Sequence, residues 1–298
     1  MLNIVYVYIG PLPDYSIDTV KQTRLFYNGP IYFIISDYES PYIKKLLSYD
    51  VTIIHYKDVR DYDFEKCVQN NIRKFNIVHE LKDREKIFIY SFERFFVLYQ
   101  LALSYNLSNI LFLELDNLIY DDPRNWLPHF DNISYMYDAD YRCASGICFM
   151  KTQDSLLELI TYLKYYIEKV DGLYFNMTEM TALHFFFKEF PGKVQFLPTH
   201  WTSSSVPIET YINYDRFNSI FDAAGIGIYL GGYDTIHTNG IVITGLKSKW
   251  SDIDYTGYSF EWKEENGKMI PYICGDGDKW IRINNLHVHS KQLKILMS

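Results

Sequence analysis

The chain has 298 residues and carries 37 acidic against 29 basic side chains, a net charge of −8. That balance disfavours a protein that grips nucleic-acid backbone, which needs a basic footprint, but it allows a nucleotide held through a metal ion. With 48% hydrophobic residues, 28 Tyr and 20 Phe, the chain can bury a large core, and most of its aromatics must build that core rather than line a pocket.

Asn3–Ile9 is β-rich and ends at the breaker Gly10-Pro11-Leu12-Pro13. Ser16 caps a helix running to about Tyr27, stopped by Asn28-Gly29-Pro30, and Ile31–Ile35 forms a second strand ending at Ser36-Asp37. Ser40-Pro41 starts a helix that ends before Asp50, and Val51–His55 is a third strand. Strand, helix, strand, helix, strand describes a parallel sheet with crossover helices. Residues 57–86 are charged and loosely patterned, a flanking extension carrying helix. Ser91–Tyr105 has helical periodicity, and Ile110–Leu113 is a strand buried on both faces. Ile133–Tyr137 and Ile147–Met150 are strands on either side of a loop, Asp138–Gly146. Thr152 caps a helix over Ser155–Glu168 that Asp171-Gly172 ends, Met177–Phe190 is a further helix, and Val194–Leu197 a short strand. Beyond Trp201 periodicity weakens, apart from a hairpin turning at Glu264-Glu265-Asn266-Gly267. With no repeat or linker, one mixed α/β domain over residues 1–298 is expected, its later half adding substrate loops. Cys67, Cys143, Cys148 and Cys274 lack the two close pairs of a zinc site and read as reduced structural thiols. Met1-Leu2-Asn3-Ile4 is not a basic leader, and the apolar runs are too short for a bilayer, so a soluble protein without a transmembrane segment is expected.

Two clusters carry chemistry. Glu114 and Asp116 sit two residues apart at the end of the Ile110–Leu113 strand, so they share a face if the strand continues through Leu115. An ordinary solvent-facing strand end is one reading. The other is a cation site, because acids bracketed by Leu111–Leu113 and Leu118-Ile119 need a partner or a metal. His287 and His289 are likewise two apart, near Lys291; one histidine can ligate while the other packs or meets phosphate. Carboxylates with imidazole favour Mn²⁺, with Mg²⁺ as the alternative.

Leu113-Glu114-Leu115-Asp116-Asn117 resembles a variant of the Asp-x-Asp motif of metal-dependent, nucleotide-sugar glycosyltransferases of the GT-A type, with Glu in place of the first Asp. Asn285–Lys291 resembles the late histidine-containing segment of those enzymes. The resemblance implies a Rossmann-like nucleotide-diphospho-sugar transferase fold with a mainly parallel mixed sheet. It implies a nucleotide-sugar-binding half at 1–120 and an acceptor-binding half at 121–298 that ends in the metal and phosphate segment. Glu114, Asp116 and His289 would ligate Mn²⁺, with His287 and Lys291 toward the diphosphate. Val7, Tyr8 and Ile9 would border the base, with Asp37 near base or ribose, and Leu115 would line the donor site. Arg94 would reach phosphate or buttress the acids, and Ser145-Gly146 would form a small-residue turn under the donor sugar. Glu179 is the candidate base of an inverting transfer; its rival reading is an acid favoured in a first helical turn. The implied substrates are a UDP-sugar, or less securely a GDP-sugar, and a glycan or glycoconjugate acceptor, handled in the cytoplasm at the periphery of a glycan assembly site. The alternatives are a nucleotidyltransferase, although Gly10–Asp14 lacks the expected basic loop, and a non-catalytic carbohydrate-binding protein.

Overall fold

The computed structural model describes residues 1–77, 85–170, 177–202, 206–235, 241–275 and 279–298. Its elements are β1 (Asn3–Tyr8), α1 (Ser16–Phe26), β2 (Ile31–Ile35), α2 (Ile43–Leu47), β3 (Thr52–His55), α3 (Tyr62–Ile77), α4 (Glu85–Tyr105), β4 (Ile110–Leu113), β5 (Asn117–Ile119), β6 (Ile133–Ala139) and β7 (Arg142–Met150). There follow α5 (Gln153–Lys169), α6 (Glu179–Glu189), β8 (Val194–Phe196), α7 (Tyr214–Phe217), α8 (Gly225–Gly231), β9 (Ile241–Val242), β10 (Lys247–Ser248), β11 (Phe260–Glu265), β12 (Lys268–Cys274), β13 (Trp280–Arg282) and β14 (Asn285–His287).

Seven strands form the central sheet in the order β3-β2-β1-β4-β7-β6-β8. All pairings are parallel except those of β7, which runs against β4 and β6, so the sheet is mixed and mainly parallel, as expected. Strand residues alternate between two cores. Ile4, Tyr6, Phe33, Leu111 and Leu113 pack on one face with α1 and the C-terminal segments. Val5, Ile34, Ile110 and Phe112 pack on the other with α3, α4, α5 and α6. The continuous apolar run of β4 follows from this burial on both faces.

Several boundaries differ from expectation for local reasons. The Ser16 hydroxyl donates to the Pro13 carbonyl at 2.7 Å instead of capping α1. Thr152 does cap α5, and Thr178 caps α6, each accepting the N–H three residues on. The long loop expected at Asp138–Gly146 is strand: β6 and β7 turn at Asp140 and Tyr141, and Gly146 lies inside β7. The β11–β12 hairpin turns on Asn266 and Gly267 at φ of 53° and 73°, the pair of left-handed residues that a two-residue turn requires. Residues 78–84 of the expected extension, and the stop at Asp171-Gly172, lie outside the described residues. Lys86–Tyr105 of α4 is long and apolar enough to cross a membrane, contrary to the sequence reading, but half of that stretch is buried within the protein.

Strand order reverses between β1 and β4, since β2 and β3 extend the sheet on one side and β7 on the other. Crevices that bind ligands open beyond the carboxyl ends of strands at such a switch point. Beyond β4 the chain turns, and β5 pairs antiparallel with β14, bringing residues 117–119 to 285–287.

Candidate active site

Glu114 and Asp116 come together through a turn and not through a shared strand face. β4 ends at Leu113, the Asn117 N–H donates to the Glu114 carbonyl at 3.0 Å, and the Glu114 N–H is held by the Gly146 carbonyl at 2.9 Å. β14 then brings His287 across from Asn117, and the Val288 N–H donates to the Asp116 carbonyl at 2.7 Å. His287 Nε2 lies 3.2 Å from Asp116 Oδ2 and 3.5 Å from Glu114 Oε2. One ligand atom from each of Glu114, Asp116 and His287 lies within 4.8 Å of the others, a set that can hold a divalent cation.

The histidine in this cluster is His287, where His289 was expected. β14 stops at His287, and the His289 N–H turns back onto the His287 carbonyl at 3.0 Å, so the two rings do not share a strand face. His289 lines the same cleft, and its Nδ1 accepts the Asp234 N–H at 3.0 Å. Lys291 follows in a left-handed conformation (φ 63°) that brings its ammonium onto Asp116.

Charge in this cluster is tightly balanced. Burial raises the Asp116 pKa, but His287 and Lys291 outweigh it and hold the carboxyl well below its usual range. Burial likewise opposes protonation of His287, yet Asp116 and then Glu114 push the ring up to about 9. A metal must displace that proton, since only the neutral ring ligates. Affinity for Mn²⁺ should therefore weaken as pH falls below about 9, by about tenfold per unit. A Mn²⁺ titration followed by electron paramagnetic resonance between pH 6 and 9 checks this; a flat profile contradicts it.

Behind Glu114 stands Arg94, buried in α4. Its Nη1 pairs with Glu114 Oε1, while Nη2 donates to Ser145 Oγ at 2.6 Å and Glu179 Oε1 at 2.9 Å. Of the two sequence readings of Arg94, this geometry favours the buttress. Glu179 is the first residue of α6, buried and engaged by that guanidinium. Burial raises its pKa against the pull of Arg94.

Two cavities meet here. A cleft of about 480 Å³ is lined by Val7, Tyr8, Ile9 and Tyr15 together with Glu114, Asp116 and Lys291. Leu115 also borders it, with its carbonyl accepting the Thr19 hydroxyl. Asp37 does not line this cleft: its carboxylate accepts the Leu12 N–H at 3.1 Å and braces the turn after β1. A second cavity of about 210 Å³ is bordered by Gly146 together with Asp138, Arg142, Glu179 and Trp250. Gly146 lets Asn117 and His287 pack against β7, because a Cβ there would stand 2.8 Å from Asn117 Nδ2 and 3.1 Å from His287 Nδ1.

Sequence reasoning missed Tyr15, Ser145 as an Arg94 partner, and the buried Asp222 and Asn285 behind His287. Tyr15 was in reach as an aromatic just past the β1 breaker; Ser145 and Asn285 lie in stretches already singled out, but the partners of these two and of Asp222 are distant in sequence and gave no signal.

No protein-family model and no curated protein matches the sequence. Among solved structures, mouse xyloside xylosyltransferase 1 aligns over 67% of this chain and 86% of its own, at 12% identity and TM-score 0.46. A galactosyltransferase, LgtC, solved with donor and acceptor sugar analogues, aligns over 66% of this chain and 74% of its own, at 14% identity and TM-score 0.44. The glycosyltransferase GlyE of Streptococcus pneumoniae aligns over 66% of this chain but only 45% of its own, at 14% identity and TM-score 0.41.

Proposed function

We propose that the protein is a metal-dependent glycosyltransferase that moves a sugar from a nucleotide-sugar to a hydroxyl of a glycan or other acceptor. The observation that carries this reading is the convergence of Glu114, Asp116 and His287, with Lys291 beside them, at the switch point of the sheet. Two carboxylates and an imidazole fit Mn²⁺ better than Mg²⁺, which prefers oxygen donors alone. When bound, the cation would supply Lewis-acid stabilisation of the departing diphosphate.

The chain's own groups divide the remaining work. Val7, Tyr8, Ile9 and Tyr15 form the apolar wall for the base, and UDP is the favoured nucleotide with GDP as the alternative. Lys291 exchanges its pairing with Asp116 for the diphosphate oxygens, as a flexible point charge. Gly146 lets the sugar approach the backbone, and the cavity it borders receives sugar and acceptor. Arg94 holds Glu114 in place and keeps Glu179 fixed at the boundary of both cavities. Glu179, its basicity raised by burial, is the proposed base that takes the acceptor proton in an inverting transfer. Residues 1–120 then serve the donor and 121–298 the acceptor, although the site draws on both.

Purified protein incubated with a panel of UDP- and GDP-sugars and Mn²⁺ should release free nucleotide from one donor. Chelator should abolish release and added Mn²⁺ restore it. Donors that stay intact under all conditions, with glycan binding undisturbed by chelator, would instead identify a non-catalytic carbohydrate-binding protein.

A further inference from the structure

We infer that Asp222 is the positioning residue that aims His287 at the cation, acting through the peptide of β14 and not through the imidazole; the inference rests on the metal reading above. A ligating histidine ordinarily donates its second ring N–H to a carboxylate or carbonyl, which fixes the ring. Among the described residues that anchor is missing: none of them gives the buried His287 Nδ1 a hydrogen bond, nor the neighbouring buried Asn117 Nδ2, and both face Gly146. Orientation must come from elsewhere.

It comes from the main chain. The His287 N–H donates to Asp222 Oδ2 at 2.9 Å. The same oxygen accepts the Gly227 N–H at 2.8 Å, while Oδ1 accepts the N–H groups of Ala224 and Ile226, each at 2.9 Å. Asp222 is fully buried, so these four donors stand in for the water its carboxylate has lost. α8 also packs closely against the His287 carbonyl: a Cβ on Gly227 would lie 2.0 Å from that oxygen, so only glycine lets the helix approach. One short segment thereby holds the His287 N–H and packs against its carbonyl.

The clamp also reaches the acidic turn. The Asp222 N–H donates to Asn285 Oδ1 at 2.9 Å, which turns Asn285 Nδ2 toward Asn117 Oδ1 at 2.7 Å. The hydrogen-bonded order Asp222, Asn285, Asn117 joins the segment behind His287 to the residue after Asp116. An amide at position 222 would fail in this role, because one of its ends would meet backbone N–H groups with N–H of its own.

The test measures Mn²⁺ dissociation constants without donor sugar, by electron paramagnetic resonance, on wild type, Asp222→Asn, Gly227→Ala and Ile270→Ala. Ile270 is a buried core residue of β12, and its truncation serves as a destabilised control. Asp222→Asn and Gly227→Ala should bind Mn²⁺ about ten- to a hundredfold more weakly. Ile270→Ala should lower Tm and leave the dissociation constant unchanged. Folded Asp222→Asn with wild-type affinity overturns the inference, as does an equal loss of affinity in Ile270→Ala. If Asp222→Asn does not fold, Gly227→Ala decides by the same criterion. Wild-type protein that binds no Mn²⁺ would overturn the metal reading itself, whatever the variants do.

Discussion

Asp116→Asn should lower metal-dependent sugar transfer by at least about a hundredfold, and Mn²⁺ affinity with it. The substitution keeps the shape of the side chain and removes its charge. Asp116 is buried and faces His287 and Lys291 at once, so its carboxylate is the shared counter-ion of the cluster. Without it, burial should prevail at His287 and the ring should titrate well below the value of about 9 that Asp116 and Glu114 sustain. Initial rates at saturating donor over a Mn²⁺ series, with the His287 ring followed by nuclear magnetic resonance, read both effects. An Asp116→Asn protein that turns over at the wild-type rate with the same metal dependence would remove the central ligand from the account.

The second large effect is expected at Arg94. Its guanidinium is buried between Glu114 and Glu179 and also supports Ser145. Truncation to Ala would leave two carboxylates facing each other in a poorly solvated place. Breaking a buried ion pair from one side costs about 3–5 kcal/mol, which corresponds to a fall in Tm on the order of 10 °C. Activity should fall as well, because Glu114 loses the partner that holds it near His287. Thermal unfolding of the metal-free protein isolates the first effect. Glu179→Gln separates the two roles of the acid: weakening the buried pair with Arg94 lowers Tm in either case, a large fall in kcat marks a base, and a mere partner of Arg94 spares kcat.

How much of this was legible beforehand follows from the range of the interactions. The parallel sheet, the buried β4 and the Asn266-Gly267 hairpin are written in local periodicity and turn chemistry, and the structure has them. The acids were located from their apolar surroundings, but the expected reason, a strand running through Leu115, gives way to a turn closed between Asn117 and Glu114. His287 and His289 are indistinguishable in sequence, and the choice between them depends on where β14 stops, which its pairing with β5 decides. Gly146 was read as a turn glycine, whereas it is a strand residue kept small by side chains from residues 114, 117 and 287. Asp37 had a plausible address after β2 and is instead occupied with Leu12. Asp222 was beyond reach, because its partners are main-chain N–H groups that no residue type announces.

The most direct measurement is a crystal structure with Mn²⁺ and nucleoside diphosphate, using anomalous scattering to locate the metal. One peak is expected, bonded to carboxylate oxygens of Glu114 and Asp116 and to His287 Nε2, with Lys291 released toward the diphosphate. A peak elsewhere, or a diphosphate bound away from these three side chains, would contradict it.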